Sequence, residues 1–303
     1  MNDNYAVILT EGLTKLYGNN RGIIDINLNV RKGEVFGYLG PNGAGKTTTI
    51  RILLDFIRPT RGQATILGLD VRRDSIESKR HIGYLPGELE LYKNLTGEEY
   101  LHYQGHLRRN VEWQYVEQLA QRLDSDLSRR IGILSHGNKQ KIGLIQALMH
   151  KPQLLILDEP TSGLDPLIQQ EFYRLIDEVK AEGRTVFISS HIMPEVEMVC
   201  DRVAIIREGK LTTIEDVDVL KARALRHLEI RFTAPVPPEK FTNLEGVKDV
   251  MVEDNTLRCT VTGKLDAFIK TAAQFEVINL VSREPNLEEI FLTYYSDRGN
   301  NAE

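Results

Sequence analysis

Short apolar runs alternate with turn residues along most of the chain. The runs at 34–39 and 185–190 predict short buried strands, and the continuous run at 154–157 is typical of a strand buried on both faces of a parallel sheet. Strict alternation of apolar and polar residues over 24–30 predicts one half-buried strand. Residues 63–68 predict a further short strand.

Helical spacing of apolar residues marks other segments. Residues 50–57 and 172–179 each place apolar side chains on one helical face. A much longer helical pattern occupies about 90–150, and Thr96 and Glu99 have the spacing of a capping box within it. We interpret this segment as a helical insertion into a strand-rich core.

The pattern changes near residue 220 and divides the chain into two predicted domains. Residues 1–220 predict an α/β domain with a mixed sheet, and residues 221–303 predict a small accessory α/β domain. In the second domain the expected elements are strands at 227–232, 247–252, 256–261 and 277–282, a helix at 265–274 and a helix from Asn286.

Composition narrows the possible partners and surroundings. The 303 residues carry a net charge of −5, so we expect no nucleic-acid partner. No stretch approaches the roughly 18 consecutive apolar residues of a membrane helix, and no secretory signal is visible at the N-terminus. Cys200 and Cys259 have no metal-ligand or redox spacing, which fits a reducing cytosol.

A glycine-rich turn between the strand at 34–39 and the helix at 50–57 carries the first candidate chemistry. The pattern GxxxxGK[ST] is that of a loop whose backbone N–H groups face phosphate oxygens, next to the positive end of a helix. Here Lys46 is expected to reach the β- and γ-phosphates, and the Thr47 hydroxyl to bind Mg²⁺. The expected nucleotide contacts are Gly40, Asn42, Gly43, Gly45, Lys46, Thr47 and Thr48.

Two adjacent carboxylates follow the buried strand at 154–157. Burying Asp158 and Glu159 together would be unfavourable without cations, so we assign them to the same site. Asp158 is expected to hold Mg²⁺, often through water, and Glu159 to orient or deprotonate the attacking water. His191 follows the strand at 185–190, at the edge where open parallel sheets bind ligands. This position makes it a functional candidate, although a lone histidine is more often structural.

Two further features allow alternative interpretations. The turn at Ser135 and Gly137, before an apolar helix, is a possible second anion site, although the residues alone favour an ordinary helix cap. Tyr17, expected in a loop ahead of the phosphate loop, either stacks on an adenine or is structural.

The segments GPNGAGKT, LSHGNKQK, LLILDEP, SGLD and SSH, in that order, resemble those of the ATP-binding subunit of ABC transporters. The resemblance covers about residues 5–215 and is greatest for bacterial exporters whose membrane subunit is a separate polypeptide. It implies ATP and Mg²⁺ as ligands and a P-loop fold. It also implies a head-to-tail dimer in which Ser135 and Gly137 of one copy close over the γ-phosphate bound by the other. By the same resemblance His191 contacts the γ-phosphate, Tyr17 supports the adenine and Asp165 lies at the subunit interface.

The chain departs from the family pattern LSGGQ and from the family's loop glutamine. His136 replaces a glycine and Asn138 a glutamine, whereas Ser135 and Gly137 remain. Gly87 occupies the position of the loop glutamine, and we hypothesise that Glu88 replaces it through a shift of one residue.

The resemblance predicts ATP hydrolysis that drives export through an integral membrane permease subunit, with the chain in the cytoplasm, peripheral on the inner face of the membrane. The alternative is a soluble ABC ATPase acting on ribosomes or DNA. A P-loop kinase or GTPase would explain the phosphate loop but not the turn at Ser135 or the carboxylate of Glu159. The last 80 or so residues resemble an accessory domain, for which dimer or partner contact and passive stabilisation are both open.

Overall fold

The chain forms two units, Met1–Glu215 and Asp216–Glu303, which are described separately. The computed structural model describes residues 6–18, 20–108, 111–223 and 226–283. The division between the units falls a few residues before the boundary expected at 220. The assignment of these segments as functional domains stays a prediction.

The described elements of the first unit are the following. Its strands are β1 (Ala6–Tyr17), β2 (Asn20–Ile26), β3 (Asn29–Arg31), β4 (Val35–Leu39), β5 (Arg61–Ile66), β6 (Leu69–Asp70), β7 (Ile82–Leu85), β8 (Leu154–Asp158), β9 (Thr185–Ser190), β10 (Arg202–Arg207) and β11 (Lys210–Asp216). Its helices are α1 (Lys46–Leu53), α2 (Ser75–Arg80), α3 (Gly97–Arg108), α4 (Trp113–Arg122), a 3₁₀ turn (Ile131–Ile133), α5 (His136–Leu148), α6 (Pro166–Ala181) and α7 (Met193–Val199).

A six-stranded sheet in the order β11-β10-β4-β9-β8-β7 forms the centre of the first unit. The strands from β10 to β7 pair in parallel, and every residue of β4, β8 and β9 is buried. Helices α1, α5, α6 and α7 pack against this sheet. The continuous apolar runs therefore form the buried parallel strands that the sequence predicts. Their carboxyl ends meet at one edge, which positions the site.

A second sheet contains antiparallel strands in the order β2-β1-β5-β6, with β3 also paired to β1. The single strand predicted over 24–30 is wrong, because the chain breaks there into β2 and β3. Asp25 has a positive φ of 53°, and the Asn27 side chain accepts a hydrogen bond from the Gly12 N–H at 2.8 Å. Burial still alternates across the break, so the pattern identified the buried face but not the interruption.

Helices α3, α4 and α5 fall within the predicted helical insertion. The capping box is confirmed, since the Thr96 N–H donates to the Glu99 carboxylate at 2.8 Å and the Glu99 N–H donates to Thr96 Oγ1 at 3.2 Å. Among the described residues no helix is both long and apolar enough to cross a membrane.

The second unit contains an antiparallel sheet in the order β13-β14-β12-β15. Phe232, Phe241 and Phe268 lie in its core. The predicted strands and first helix agree with the structure, whereas the helix expected from Asn286 lies outside the described residues. The described elements are α8 (Val217–Arg223), β12 (Arg226–Phe232), α9 (Glu239–Thr242), β13 (Val247–Glu253), β14 (Thr256–Val261), α10 (Asp266–Ala272) and β15 (Val277–Arg283).

Close packing of α5 on β7 predicts that Gly83→Ala destabilises the first unit. A Cβ at Gly83 would lie 2.1 Å from the Ala147 carbonyl oxygen, so the helix must move away. We expect a loss of about 1–3 kcal/mol in the free energy of unfolding. Urea unfolding, monitored by the fluorescence of Trp113, measures this change in the free energy of unfolding. Trp113 is the single tryptophan of the chain and lies in this unit.

Gly105→Ala in α3 is the matched control. Its Cβ would meet nothing closer than 3.7 Å, and alanine is the better helix former by up to about 1 kcal/mol. An unchanged urea midpoint for Gly83→Ala would contradict the packing described here.

Candidate nucleotide site

The turn between β4 and α1 requires glycine at defined positions. Gly43 and Gly45 have positive φ values of 79° and 112°. At Gly40 a Cβ would lie 2.3 Å from the Ile206 carbonyl oxygen, and at Gly45 it would lie 2.6 Å from Ile23 Cγ2. No side chain caps α1 at Gly45, so the first N–H groups of this helix remain available to an anion.

Lys46 extends back across this turn. Its side chain is only 6% exposed, and Nζ donates to the carbonyl oxygens of Gly40 at 2.7 Å and Pro41 at 3.3 Å. The same Nζ lies 3.4 Å from Glu159 Oε1. The ammonium group is therefore held between the phosphate loop and the end of β8.

Asp158 joins three elements through its carboxylate. Thr47 Oγ1, in the first turn of α1, donates to Asp158 Oδ2 at 3.0 Å, and Ser189 Oγ, on β9, donates to Oδ1. Asp158 is 2% exposed. Because Mg²⁺ prefers a few oxygen ligands and retained water, a hydroxyl and a carboxylate in direct contact are a donor set that fits this ion.

Glu159 and His191 lie beside this pair. Glu159 Oε2 is 2.7 Å from His191 Nδ1, while Oε1 faces Lys46. Its backbone has a φ of 51°, a left-handed conformation that is uncommon for a residue other than glycine. The Glu159 N–H donates to the Ser189 carbonyl at 2.9 Å. The structure thus brings Lys46, Glu159 and His191 together.

A cavity of about 400 Å³ opens beside Lys46, Asp158 and Glu159. It contains most of the residues predicted from the phosphate loop and the strand end, together with Arg51 and Tyr84, which the sequence reasoning missed. Burial, and secondarily the charge of Asp158, raises the pKa of Tyr84 to about 12, so its hydroxyl stays protonated. The lining residues are Tyr17, Gly22, Asn42, Gly43, Gly45, Lys46, Thr47, Thr48, Arg51, Tyr84, Pro86, Gly87, Glu88, Asp158 and Glu159.

Tyr17 is the last residue of β1. The expectation that it lies in a loop is therefore wrong. Its ring is 45% exposed at the cavity, and Lys15 Nζ lies 5.3 Å from the ring centroid. An exposed aromatic face at the edge of a phosphate cavity is suited to stacking on a nucleobase.

Gly87 approaches the Asp158 carboxyl closely. A Cβ at this position would lie 3.3 Å from both Asp158 Cγ and Oδ2. A glutamine there would therefore press against the carboxylate unless the loop moved. Glu88 lines the same cavity one residue further on.

Ser135 and Gly137 do not line this cavity. Ser135 is the N-cap of α5, and its Oγ accepts a hydrogen bond from the Asn138 N–H at 3.4 Å. The helix-cap interpretation is therefore correct for the isolated chain. The turn packs instead on the loop after Glu159, since a Cβ at Gly137 would lie 2.2 Å from the Gly163 carbonyl oxygen.

Glu195 is a second buried carboxyl group near the site, and the sequence reasoning missed it. It is 2% exposed, and its Oε2 accepts a hydrogen bond from Ser190 Oγ at 2.5 Å. Burial raises its pKa to about 7, an increase that the charge of Glu159 reinforces and hydrogen bonds from Ser190 and Thr161 reduce. Its position on α7, the helix that follows His191, was the signal by which the sequence could have indicated it.

The phosphate loop, the buried Asp158 and the Glu159–His191 pair define a P-loop nucleotide-binding protein. The family model described as "ABC transporter" matches residues 23–162. The chain is 41% identical over 301 residues to the bacitracin transport ATP-binding protein BcrA of Bacillus licheniformis, covering 95% of this chain and 96% of that protein. It is 33% identical over 302 residues to the linearmycin resistance ATP-binding protein LnrL of Bacillus subtilis, with coverages of 94% and 97%.

Two solved structures share the fold of the first unit. An ATP-binding subunit of an ABC transporter superposes with a TM-score of 0.65 at 30% identity, over 71% of this chain and 92% of that one. The ATP-binding cassette MJ0796, a post-hydrolysis dimer bound to ADP and Pi, gives a TM-score of 0.64 at 21% identity, over 69% and 98%. The chain belongs to the ABC transporter family as an ATP-binding subunit.

The buried Glu195 carboxyl predicts a pH dependence of stability. Its pKa is about 7 in the folded chain against an ordinary value of 4.5. As the pH rises, the unfolded chain therefore releases this proton first, and the group lowers the free energy of unfolding between those two values. Glu195→Gln should remove this decrease while its amide oxygen still accepts from Ser190. Urea unfolding at a series of pH values, followed by Trp113 fluorescence, measures the difference.

His150 provides an internal reference for this measurement. Burial, and secondarily the charge of Arg108, lowers its pKa from 6.5 to about 4, so it raises stability with pH over nearly the same range. The parent chain and Glu195→Gln share this contribution of His150, so it cancels when their stabilities are compared. Parallel stability profiles for the parent chain and Glu195→Gln would contradict the prediction.

Proposed function

We propose that the chain hydrolyses ATP as one half of a nucleotide-sandwich dimer that drives export of a substrate through a separate integral membrane permease subunit. The observation that carries this proposal is the separation of two sets of residues. Lys46 and Glu159 line the phosphate cavity and His191 contacts Glu159, whereas the turn at Ser135 and Gly137 stands apart from the cavity.

We assign the nucleotide contacts to the phosphate loop. The backbone N–H groups of residues 40–48 bind the phosphates, Lys46 reaches the β- and γ-phosphates, and Tyr17 stacks on the adenine. Lys46 already lies within its loop, so binding requires only that it exchange carbonyl partners for phosphate oxygens. Thr47 and Asp158 would hold Mg²⁺, which supplies charge neutralisation at the phosphates.

Glu159 acts on the attacking water. Its carboxylate is fixed between Lys46 and His191, so one oxygen remains close to the phosphate loop while the other is bound to the imidazole. Glu159 orients or deprotonates the water as it approaches the γ-phosphate. Because Nδ1 of His191 is taken by Glu159, Nε2 is the atom that contacts the γ-phosphate.

A second copy of the chain completes the site. The start of α5 offers a hydroxyl and backbone N–H groups that suit a phosphate, but within one chain it lies outside the cavity. In a head-to-tail dimer, Ser135 and Gly137 of one copy close over the nucleotide bound by the other, with Asp165 near the interface. We propose a homodimer, which one gene product can form.

We place the protein in the cytoplasm, on the inner face of the membrane, through contact with the permease. The names of the two full-length relatives, a transport protein and a resistance protein, support export. The second unit is proposed to contact the dimer or the permease. A purely stabilising role for it remains the alternative.

A soluble ABC ATPase acting on ribosomes or DNA is the competing function. Such relatives usually carry two ATP-binding domains or long coiled-coil insertions, and the net charge of −5 does not favour nucleic acid. Copurification of the tagged chain from solubilised membranes with an integral membrane protein supports transport. Copurification with ribosomes or DNA instead would overturn it.

Glu159→Gln is the central test of the proposed mechanism. The amide keeps the shape of the side chain but cannot accept a proton, so hydrolysis should fall by roughly 100- to 1,000-fold. ATP binding should persist, and the variant should accumulate as an ATP-bound dimer in gel filtration. Lys46→Ala is the control, because it removes the phosphate contact and should prevent both binding and dimer formation. Full activity of Glu159→Gln would remove this residue from the mechanism.

Glu88→Ala tests whether Glu88 replaces the missing loop glutamine. We expect a loss of the ATPase stimulation that the copurified membrane subunit provides, because Glu88 lines the cavity beside Gly87 and Asp158. Glu90→Ala is the matched control, since Glu90 is exposed in the same loop but does not line the cavity. The hypothesis fails when Glu88→Ala leaves both the basal activity and its stimulation unchanged.

A further inference from the structure

Helix α5 contacts the loop that follows Glu159 at two points one helical turn apart. His136 and Gln140 occupy positions i and i+4, so their side chains lie on the same face. That face meets the loop 159–163, which leads from the end of β8 toward α6. The helix that begins at Ser135 is thus joined directly to the loop of the proposed catalytic carboxylate.

Gln140 makes the first contact. It is fully buried, and its Nε2 donates to the Glu159 carbonyl oxygen at 3.2 Å and to the Pro160 carbonyl oxygen at 3.1 Å. Only the amide nitrogen of glutamine can donate, so these two acceptors fix the orientation of the side chain. Its Oε1 is buried and accepts no hydrogen bond from the described residues. An unsatisfied buried acceptor lowers stability, so stability alone does not explain a glutamine here.

Glu159 needs such a support because its backbone is strained. A φ of 51° is unfavourable for this residue type and persists only where the surroundings hold it. The Glu159 N–H is held by the Ser189 carbonyl at 2.9 Å, and its carbonyl oxygen by Gln140 and the Ser162 N–H. These bonds fix the peptide on both sides of the Cα and therefore the direction of the carboxylate.

His136 makes the second contact, at the far end of the loop. Its Nε2 lies 3.4 Å from Ser162 Oγ, and a Cβ at Gly163 would lie 2.5 Å from the imidazole Cδ2. The histidine that replaces a family glycine therefore packs against the loop, where there is no space for a side chain at Gly163.

We propose that Gln140 is a positioning residue for Glu159, so that α5, the helix bearing Ser135 and Gly137, orients the catalytic carboxylate of its own chain. The inference rests on the proposed function, in which that carboxylate acts on ATP. In the dimer, the turn at Ser135 serves the nucleotide of the partner while Gln140 serves the nucleotide of its own chain. Closure of the Ser135 turn over the ATP of the partner is thereby connected to the Glu159 carboxylate that acts on the ATP of its own chain.

Gln140→Met in the full-length protein removes the donor and keeps a long side chain. We expect kcat for ATP hydrolysis to fall roughly tenfold, the size expected when hydrogen bonds that orient a catalytic group are lost. KM for ATP should change less than about twofold, since the phosphate loop is untouched. Gln146→Met is the matched control, because Gln146 lies on the same helix and bonds Tyr100, away from the loop. It should leave kcat unchanged.

Mixed dimers separate positioning from a general loss of structure. One chain keeps Glu159 and the other carries Glu159→Gln, which should retain ATP binding and dimer formation, and two affinity tags isolate the mixed species. With Gln140→Met on the chain that keeps Glu159, kcat should fall roughly tenfold, because that chain supplies the active carboxylate. With Gln140→Met on the Glu159→Gln chain, whose own site is already inactive, kcat should remain within about twofold.

An unchanged kcat for Gln140→Met, or equal losses in the two mixed dimers, would overturn the proposal. Should Gln140→Met not bind a fluorescent ATP analogue, Gln140→Asn replaces it, because the shorter amide keeps the polarity but does not reach the two carbonyls. Failure of Glu159→Gln to dimerise contradicts the proposed dimer and leaves the kcat comparison of Gln140→Met and Gln146→Met valid. The two proposals can therefore fail separately.

Discussion

Oppositely charged side chains are buried together at one edge of the parallel sheet. Lys46 is 6% exposed and Asp158 2% exposed, and groups this buried remain charged only with close partners. The parallel strands β4, β8 and β9 bring the phosphate loop, Asp158, Glu159 and His191 to the same edge. The glycines at 40 and 45 allow the loop backbone to pack closely on Ile206 and Ile23, and the Lys46 ammonium donates to the Gly40 carbonyl oxygen. A triphosphate entering this edge meets charges that are already positioned.

The sequence predicted the elements around this edge because their signals are local. Buried runs, helical spacing and the pattern GxxxxGK[ST] each depend on neighbouring residues, and β4, β8, β9 and α1 follow them closely. The break at Asp25 and Asn27 was missed because it depends on a hydrogen bond from Gly12, which alternation of polarity does not reveal. Such long-range bonds are formed by the fold and not by the local pattern.

The residues of the candidate site likewise divide into those that a local pattern identifies and those that it does not. Lys46, Thr47, Asp158 and Glu159 were found because they belong to short motifs or strand ends. Ser189, Gln140 and Glu195 were missed because each acts through a contact distant in sequence or through burial of a polar side chain. Gln140 lies five residues after Ser135, in a helix that the sequence identifies only by its apolar face. The residues that hold a site in place are therefore harder to predict than those that contact its ligand.

The departures from the family pattern acquire different physical meanings in the structure. His136 replaces the smallest residue with an imidazole, yet the ring finds space because Gly163 lacks a side chain and has a φ of 72°. At Gly87 the glycine permits a close approach, since a Cβ there would lie only 3.3 Å from Asp158 Cγ and Oδ2. The first change adds a contact between α5 and the loop after Glu159, whereas the second lies beside Asp158. We infer that α5 helps to orient the proposed catalytic carboxylate of Glu159, because Gln140 and His136 both contact the loop that follows it.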